Sequence, residues 1–383
     1  MKLQKKEAVK ITLDDIFQVI KKISKNLPKK DFTTIPINKL NTKHFINSIE
    51  KIKVNIPPYN QSSMDGYGVI NKSIKYENIG YTSLNRYINY KIKKNQCIEV
   101  KTGSLIPNDI KYIIPLEYVF KHKNEIHCIN YKFKEKYIRP KGHIFKRNTS
   151  ILRKNTFLNI KDLSAIKSLK NLKAKIQKPL SFSIISTGSE FTKDHFIKPT
   201  NGEYLKDFLL KNNQRIDNCI HIKDENKLLN KYLNKFKSNF IIVIGGTGKS
   251  RDDIKFDDKN LIINGINLKP GRPFKYFYRN NTNYLFFPGN PCSSFVLTNI
   301  LIKELIKLFY EKKTKEIEEI NISKLDYNFI NLKRKTFLFA LKFKENFKIF
   351  KNQESSNLAN ILNANYLLYF NQTNTVRAFN LND

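Results

Sequence analysis

Three apolar, strand-like runs of this 383-residue chain end in the same kind of turn. FSIIS runs into Thr187-Gly188-Ser189-Glu190, FIIVI into Gly245-Gly246-Thr247-Gly248-Lys249-Ser250, and YLFF into Pro288-Gly289-Asn290-Pro291. In an open parallel sheet, ligands bind outside the carboxyl ends of the strands, so the three turns are expected around one crevice. Glycine lets the backbone approach a ligand closely, and free N–H groups at the following helix starts favour an anion. Gly, Asn and Ser suit any strand-to-helix turn; three such turns in one region are what single out a binding crevice.

The run GGTGKS ends as a Walker A motif does, but that pattern needs glycine at position 243, where Val243 lies inside an apolar strand. A P-loop nucleotide hydrolase is therefore the minor reading. Arg251, Asp252 and Asp253 follow, a cation and two carboxylates at the same edge. Carboxylates beside a phosphate site suit a Mg²⁺ ion, which prefers hard oxygen ligands. Further on, LKPGRPFKYF sets Lys269 and Arg272 around a Pro-Gly turn, and two cations on a rigid turn suit an oxyanion. In PPYNQSSMDGYGV, Ser62, Ser63, Asp65 and Tyr67 crowd into one turn. Asp65-Gly66 by itself reads as a hairpin turn. Lys101-Thr102-Gly103 and Ile114-Pro115-Leu116-Glu117 supply another turn and another carboxylate.

Alternating strands and helices position these loops. From residue 179 to 322 the two alternate, which predicts a parallel-sheet α/β domain covered on both faces. Residues 45–140 carry short β-like runs between Gly, Asn and Pro turns and read as a β-rich insert domain. A helix is expected from Thr12, with Thr12 and Asp15 at capping-box spacing, Ile16, Ile20, Ile23 and Leu27 on one face, and Pro28 as its stop. NIKDLSAIKSLKN is a second helix, with Leu163, Ile166 and Leu169 on one face. The two helices are expected to pack together in a discontinuous helical linker domain, residues 1–44 with 141–178. Residues 323–383 return to period-two alternation, with Lys344, Glu345 and Asn346 as a turn, and read as a small C-terminal β domain. The fold class is thus multidomain α/β.

Composition narrows the function classes. The chain has no apolar run of 18 residues and no secretory h-region at its start, so neither a membrane span nor export is expected, and the cytosol is. Four separated cysteines, Cys97, Cys128, Cys219 and Cys292, carry no CxxC spacing, which argues against a zinc site or a disulfide framework. Lys+Arg 70 against Asp+Glu 33 gives a net charge of +37. Only 10 of the 70 are Arg, and the lysines are dispersed, so specific nucleic-acid recognition is not expected.

Taken together, SSMDGYGV, KTGSLIP with Glu117, STGSE, GGTGKSRDD, LKPGRPF and FPGNPCS resemble, in order and separation, the motifs of the molybdopterin molybdenumtransferases. These are the MoeA-type enzymes, to which the C-terminal part of gephyrin also belongs. The resemblance spans roughly residues 10 to 380. It implies four domains per subunit and an elongated homodimer whose active site is shared between the α/β domain of one subunit and the insert of the other. It also implies the reaction: adenylylated molybdopterin and molybdate give molybdenum cofactor and AMP, with Mg²⁺. Matched motif by motif, Asp65, Thr102, Glu190 and Asp253 would be catalytic, with Glu190 and Asp253 organising the metal. Glu117, Arg139, Gly245, Gly246, Thr247, Lys269, Arg272, Pro288, Gly289, Asn290, Pro291 and Ser355 would bind substrate, with Lys269 and Arg272 holding molybdate or phosphate. The chain departs from the family at Ser189, where TGDEL has an acid, at Pro199-Thr200-Asn201, and in GGTGKSRDD, which is closer to the pterin-adenylylating domains. An adenylyltransferase, or a pterin-binding protein without activity, are the alternatives.

Overall fold

Strands Ser181–Thr187, Phe240–Ile244 and Thr282–Phe287 are buried at every position. Such strands need cover on both faces. They form the centre of a six-stranded sheet in the order Arg215–Ile222, Ser181–Thr187, Phe240–Ile244, Thr282–Phe287, Lys275–Arg279, Ile263–Asn264. The first four strands are parallel and the last two are antiparallel, so the sheet is mixed at one edge. Helix Thr200–Lys211 packs on Ser181–Thr187 and Arg215–Ile222. The run expected as one long amphipathic helix is α-helical over Pro291–Leu297 and Lys303–Phe309, with a π-helical stretch Thr298–Ile302 between. Residues 292–302 are all buried, so this part of the run has no solvent face and is a core element; in Lys303–Phe309 the amphipathic pattern returns.

The computed structural model describes residues 15–84, 90–188, 200–246, 261–312, 317–329 and 332–382. They fall in two compact units, Met1–Phe32 with Gln177–Asp383, and Thr33–Ile176. Besides the α/β sheet, the first unit holds a second sheet in the order Leu268–Lys269, Lys335–Phe343, Tyr366–Phe370, Thr375–Asn380, Glu318–Asn321, with Asn346–Ile349 paired to Lys335–Phe343. The hairpin turn at Lys344 and Glu345 is where the alternation places it. Leu268–Lys269 joins this sheet from the middle of the α/β region, parallel to Lys335 and Thr336.

The first helix differs from its sequence reading. It spans Ile16–Ser24, and its N-cap is Asp15, whose carboxylate accepts from Phe17 N at 2.9 Å. Thr12 lies outside the described residues, and Leu27 follows the helix. This helix belongs to the first unit and not to a linker domain with the second helix. Phe17 packs edge-on to Tyr369 at 5.6 Å, and Asp15 meets Lys335 Nζ at 3.3 Å. Just beyond the helix, Asn26 Nδ2 donates to Tyr276 Oη at 2.7 Å. An apolar helical stripe specifies burial but not the partner, and here the C-terminal sheet and the end of the α/β domain offer the matching surface. Asp15→Ala removes both the cap and the ion pair. It is expected to lower stability by about 1–2 kcal/mol in calorimetric unfolding, the size of a lost helix cap.

In the second unit, Phe32–Pro36, Lys173–Gln177, Phe45–Ile49 and Thr156–Phe157 make a four-stranded sheet. Helix Ile160–Lys167, closed by a capping box between Asn159 and Asp162, sits with it over a core that includes Ile37, Leu40, Ile46, Ile166 and Leu172. This sheet and helix come from two separated stretches, do not include the first helix, and take in Phe45–Ile49, which the sequence reading assigned to the insert. The rest of the unit is a six-stranded sheet in the order Tyr112–Pro115, Gly66–Val69, Gln96–Val100, Lys75–Thr82, Glu125–Cys128, Val119–His122. All four cysteines are free thiols, and no helix among the described residues is long and apolar enough to cross a membrane.

Candidate functional site

Asp65 stands immediately before Gly66–Val69, the strand between Gln96–Val100 and Tyr112–Pro115. Both neighbours run antiparallel to it. The residues that follow them, Lys101-Thr102 and Leu116-Glu117, therefore return to the sheet end where Asp65 begins. Asp65-Gly66 is the entry to a central strand, not the hairpin turn that the dipeptide suggests. Gly66 is needed there because a Cβ would sit 2.1 Å from the carbonyl oxygen of Ile114.

Asp65 Oδ1 accepts from Thr102 N at 2.6 Å and from Thr102 Oγ1 at 2.8 Å, and Lys101 Nζ lies 3.9 Å from Oδ2. The Thr102 N–H, then its hydroxyl, and more weakly the Lys101 ammonium hold the Asp65 carboxyl below the usual carboxylate range. Sequence spacing singled out Asp65 and Thr102 separately; the fold makes them one hydrogen-bonded pair. Lys101, which also lies 3.9 Å from Glu99 Oε1, was not singled out as a site residue. Glu117 is exposed in the 3₁₀ turn Leu116–Tyr118 at the same sheet end. Arg139 is exposed and pairs with Gln61 in a two-residue ladder, beside the segment that leads to Asp65. Thr102→Val keeps the N–H donor and loses the hydroxyl. It is expected to raise the Asp65 pKa part of the way to the ordinary value, as read by carboxyl ¹³C titration. Because the folded pKa is depressed, the carboxylate's stabilisation is present above the unfolded pKa and is lost as pH falls through the folded one. The variant therefore loses it at a higher pH than the parent.

In the first unit, the α/β loops converge at one sheet edge. Gly188 N donates to Ile222 O at 3.2 Å, and Gly245 N donates to Phe287 O at 3.1 Å. Gly245 has φ +108°, and a Cβ there would lie 2.5 Å from Thr187 O and 2.7 Å from Thr187 Oγ1. A Cβ on Gly289 would in turn meet Gly245 Cα at 3.4 Å. Gly245, Gly246, Pro288, Gly289, Asn290 and Pro291 thus share one edge with Thr187 and Gly188. The turn bearing Lys269 and Arg272 leaves from this edge too, because Lys275 pairs with Phe286, next to the end of Thr282–Phe287. Lys269 and Arg272 are both exposed.

Ser355 reaches this edge through its backbone: its carbonyl accepts from Cys292 N at 3.0 Å. One N–H that the sequence reading left free for an anion at this helix start is therefore already used. Two residues not singled out as site residues complete the edge. Asn201 Nδ2 donates to Gly289 O at 2.6 Å, tying the start of Thr200–Lys211 to the FPGNP loop. Thr187 Oγ1 is buried with no hydrogen-bond partner among the described residues, facing Gly245. Neither carries a signal in the sequence beyond membership of its turn. Glu190, Thr247 and Asp253 lie outside the described residues, and among the described residues no group of three or more His, Cys, Asp or Glu could hold a metal ion.

Residues 6–169 match the family described as the MoeA N-terminal region (domain I and II), and residues 183–307 match the family described as "Probable molybdopterin binding domain". The chain is 28% identical to the molybdopterin molybdenumtransferase of Synechocystis sp. over 52% of its own length and 56% of that protein's, so the match spans little more than half of this relative. It is 25% identical to the molybdopterin molybdenumtransferase of Haemophilus influenzae, over 69% of this chain and 70% of that one. The molybdopterin biosynthesis MoeA protein of Pyrococcus horikosii has the same fold, with a TM-score of 0.73 over 97% of this chain and 96% of that chain at 17% identity. With an MoeA N-terminal region followed by a molybdopterin-binding domain on one chain, and the motif loops gathered at sheet ends as described, the protein belongs to the MoeA family.

Proposed function

We propose that this protein inserts molybdate into adenylylated molybdopterin with release of AMP, as a Mg²⁺-dependent homodimeric enzyme of the cytosol. The observation that carries the reading is the Asp65–Thr102 pair. The two motifs that bear these residues are 37 positions apart, yet they meet at 2.6 and 2.8 Å on an exposed sheet end. Its low pKa makes Asp65 a poor proton acceptor at neutral pH, so its role is to accept hydrogen bonds and to orient substrate. Oδ2, outside the Thr102 bonds, is the oxygen available for this. Lys269 and Arg272, exposed at the α/β edge, supply cations for molybdate or phosphate, and Arg272 can bind an oxyanion through two parallel bonds. The glycine loops of that edge, packed on one another, would present backbone to the pterin phosphate, and the buried Thr187 hydroxyl lies beside Gly245. Glu190 and Asp253 are the residues that would hold Mg²⁺, and their carboxylate oxygens are the hard donors it prefers. The bound ion would offset negative charge on the phosphate oxygens.

The homodimer reading has Asp65 and Thr102 act from one subunit and the α/β edge from its mate. Asp65→Ala and Asp253→Ala proteins, each inactive alone, would then regain activity when refolded as a mixture. The reaction itself is tested by mixing purified protein with adenylylated molybdopterin and Mg²⁺ and measuring AMP with and without molybdate. Molybdate-dependent AMP release is the expected result. Tight pterin binding without release would replace the enzyme reading with that of a binding protein.

A further inference from the structure

The start of helix Thr200–Lys211 is pinned from two sides. A Cβ on Gly202 would collide with the Ser186 hydroxyl, so the helix backbone rests directly on strand Ser181–Thr187. Tyr204 stacks on Phe295 with centroids 5.1 Å apart and planes at 29°, and its hydroxyl accepts from Asn299 Nδ2 at 2.6 Å. Asn299 is buried, and its Nδ2 also donates to Phe295 O at 2.9 Å. Phe295 and Asn299 belong to the helical run that follows the Pro288–Pro291 loop. The helix start is thus fixed both to the strand that ends at Thr187 and to the helical run behind that loop.

Asn201 projects from this fixed start, and its Nδ2 donates to Gly289 O at 2.6 Å. Proline restricts φ at Pro288 and Pro291, but Gly289 between them has the widest torsional freedom of any residue type. The Asn201 bond removes that freedom from the Gly289–Asn290 peptide. In a planar trans peptide the carbonyl and the following N–H point in opposite directions. Holding Gly289 O toward Asn201 therefore directs the Asn290 N–H away from the helix. Among the described residues this N–H makes no backbone hydrogen bond, whereas the Cys292 N–H is taken by Ser355 O.

We propose that Asn201 is a positioning residue, which fixes the Gly289–Asn290 peptide so that the Asn290 N–H is presented to the phosphate of the pterin ligand. This rests on the pterin-phosphate reading of the α/β edge, so the test reads binding and does not require turnover. Adenylylated molybdopterin is titrated into the full-length protein without molybdate or Mg²⁺ and followed by pterin fluorescence. Asn201→Ala, checked for folding by circular dichroism, is expected to weaken binding about fivefold, the scale of one hydrogen bond. In the ligand-free protein, amide hydrogen exchange in the Pro288–Pro291 loop should be faster in this variant than in the parent. Asn201→Asp sets a carboxylate against the Gly289 carbonyl and should weaken binding further at neutral pH. Only the protonated carboxyl can donate to Gly289 O, so this contact raises its pKa. The deficit of Asn201→Asp relative to the parent should therefore shrink as pH falls from about 7 to about 5. Asn212→Ala removes a comparable bond, from Nδ2 to Phe208 O, at the other end of the helix, and should leave binding unchanged. The proposal is overturned if Asn201→Ala binds as tightly as the parent or leaves loop exchange unaltered, if Asn212→Ala weakens binding as much, or if the Asn201→Asp deficit does not change with pH. A parent protein that binds the pterin without releasing AMP would overturn the enzyme reading alone, and the same variants would still decide the role of Asn201.

Discussion

Asp65→Ala is expected to reduce molybdate-dependent AMP release by about two to three orders of magnitude, the scale on which a preorganised electrostatic contact acts. The carboxylate is half-exposed, so its removal takes no packing from the core. It leaves the Thr102 N–H and hydroxyl without their acceptor, but both groups are exposed and water can replace it. Circular dichroism and the thermal midpoint should therefore change little while turnover collapses. Asp65→Asn sharpens the test, since its side-chain carbonyl can still accept from Thr102 while the charge is gone. If charge matters more than shape, the Asn variant resembles Ala; if orientation of Thr102 matters more, it keeps much of the activity. Normal turnover by Asp65→Ala would remove Asp65 from the mechanism.

The second large effect is on stability. Gly245 occupies φ +108°, a region essentially closed to residues with a Cβ, and the added methyl of Gly245→Ala would press on backbone that has little freedom to move, Thr187 O at 2.5 Å. Strain of about 1–3 kcal/mol from the dihedral and a similar overpacking term add to about 2–6 kcal/mol. For a unit of this size, that corresponds to a fall in melting temperature of about 4–24 °C in calorimetry. Gly246, at φ +57°, lies in the ordinary left-handed region, where a side chain costs about 1–2 kcal/mol. Gly246→Ala is thus expected to be the milder of the two. Equal losses from both substitutions would mean that the contact with Thr187 is not what demands glycine at 245. Gly245→Ala would press residue 245 away from Thr187 and toward Gly289 on its other side, so the candidate site should lose ligand affinity at temperatures where the fold survives.

The sequence by itself determined the features whose physical origin is local. Fully apolar runs such as FIIVI, separated by amphipathic helices, can be buried only as central strands covered on both faces, and the structure has them there. The period-two tail has the same logic, down to the turn at Lys344. The ordered motifs likewise carried the family. Tertiary structure decided what depends on which surfaces meet. Nothing in the pattern of the first helix distinguishes the core around Ile166 from the one beside Tyr369, because a stripe of Ile and Val is equally apolar against either. The partner was set by packing and by long-range bonds such as Asn26 to Tyr276. Register placed Thr102 under Asp65, and the approach of the C-terminal domain gave the Cys292 N–H to Ser355. Such contacts join residues tens of positions apart, and the entropy of closing those loops is recovered only when the whole core forms, so no short window of sequence encodes them.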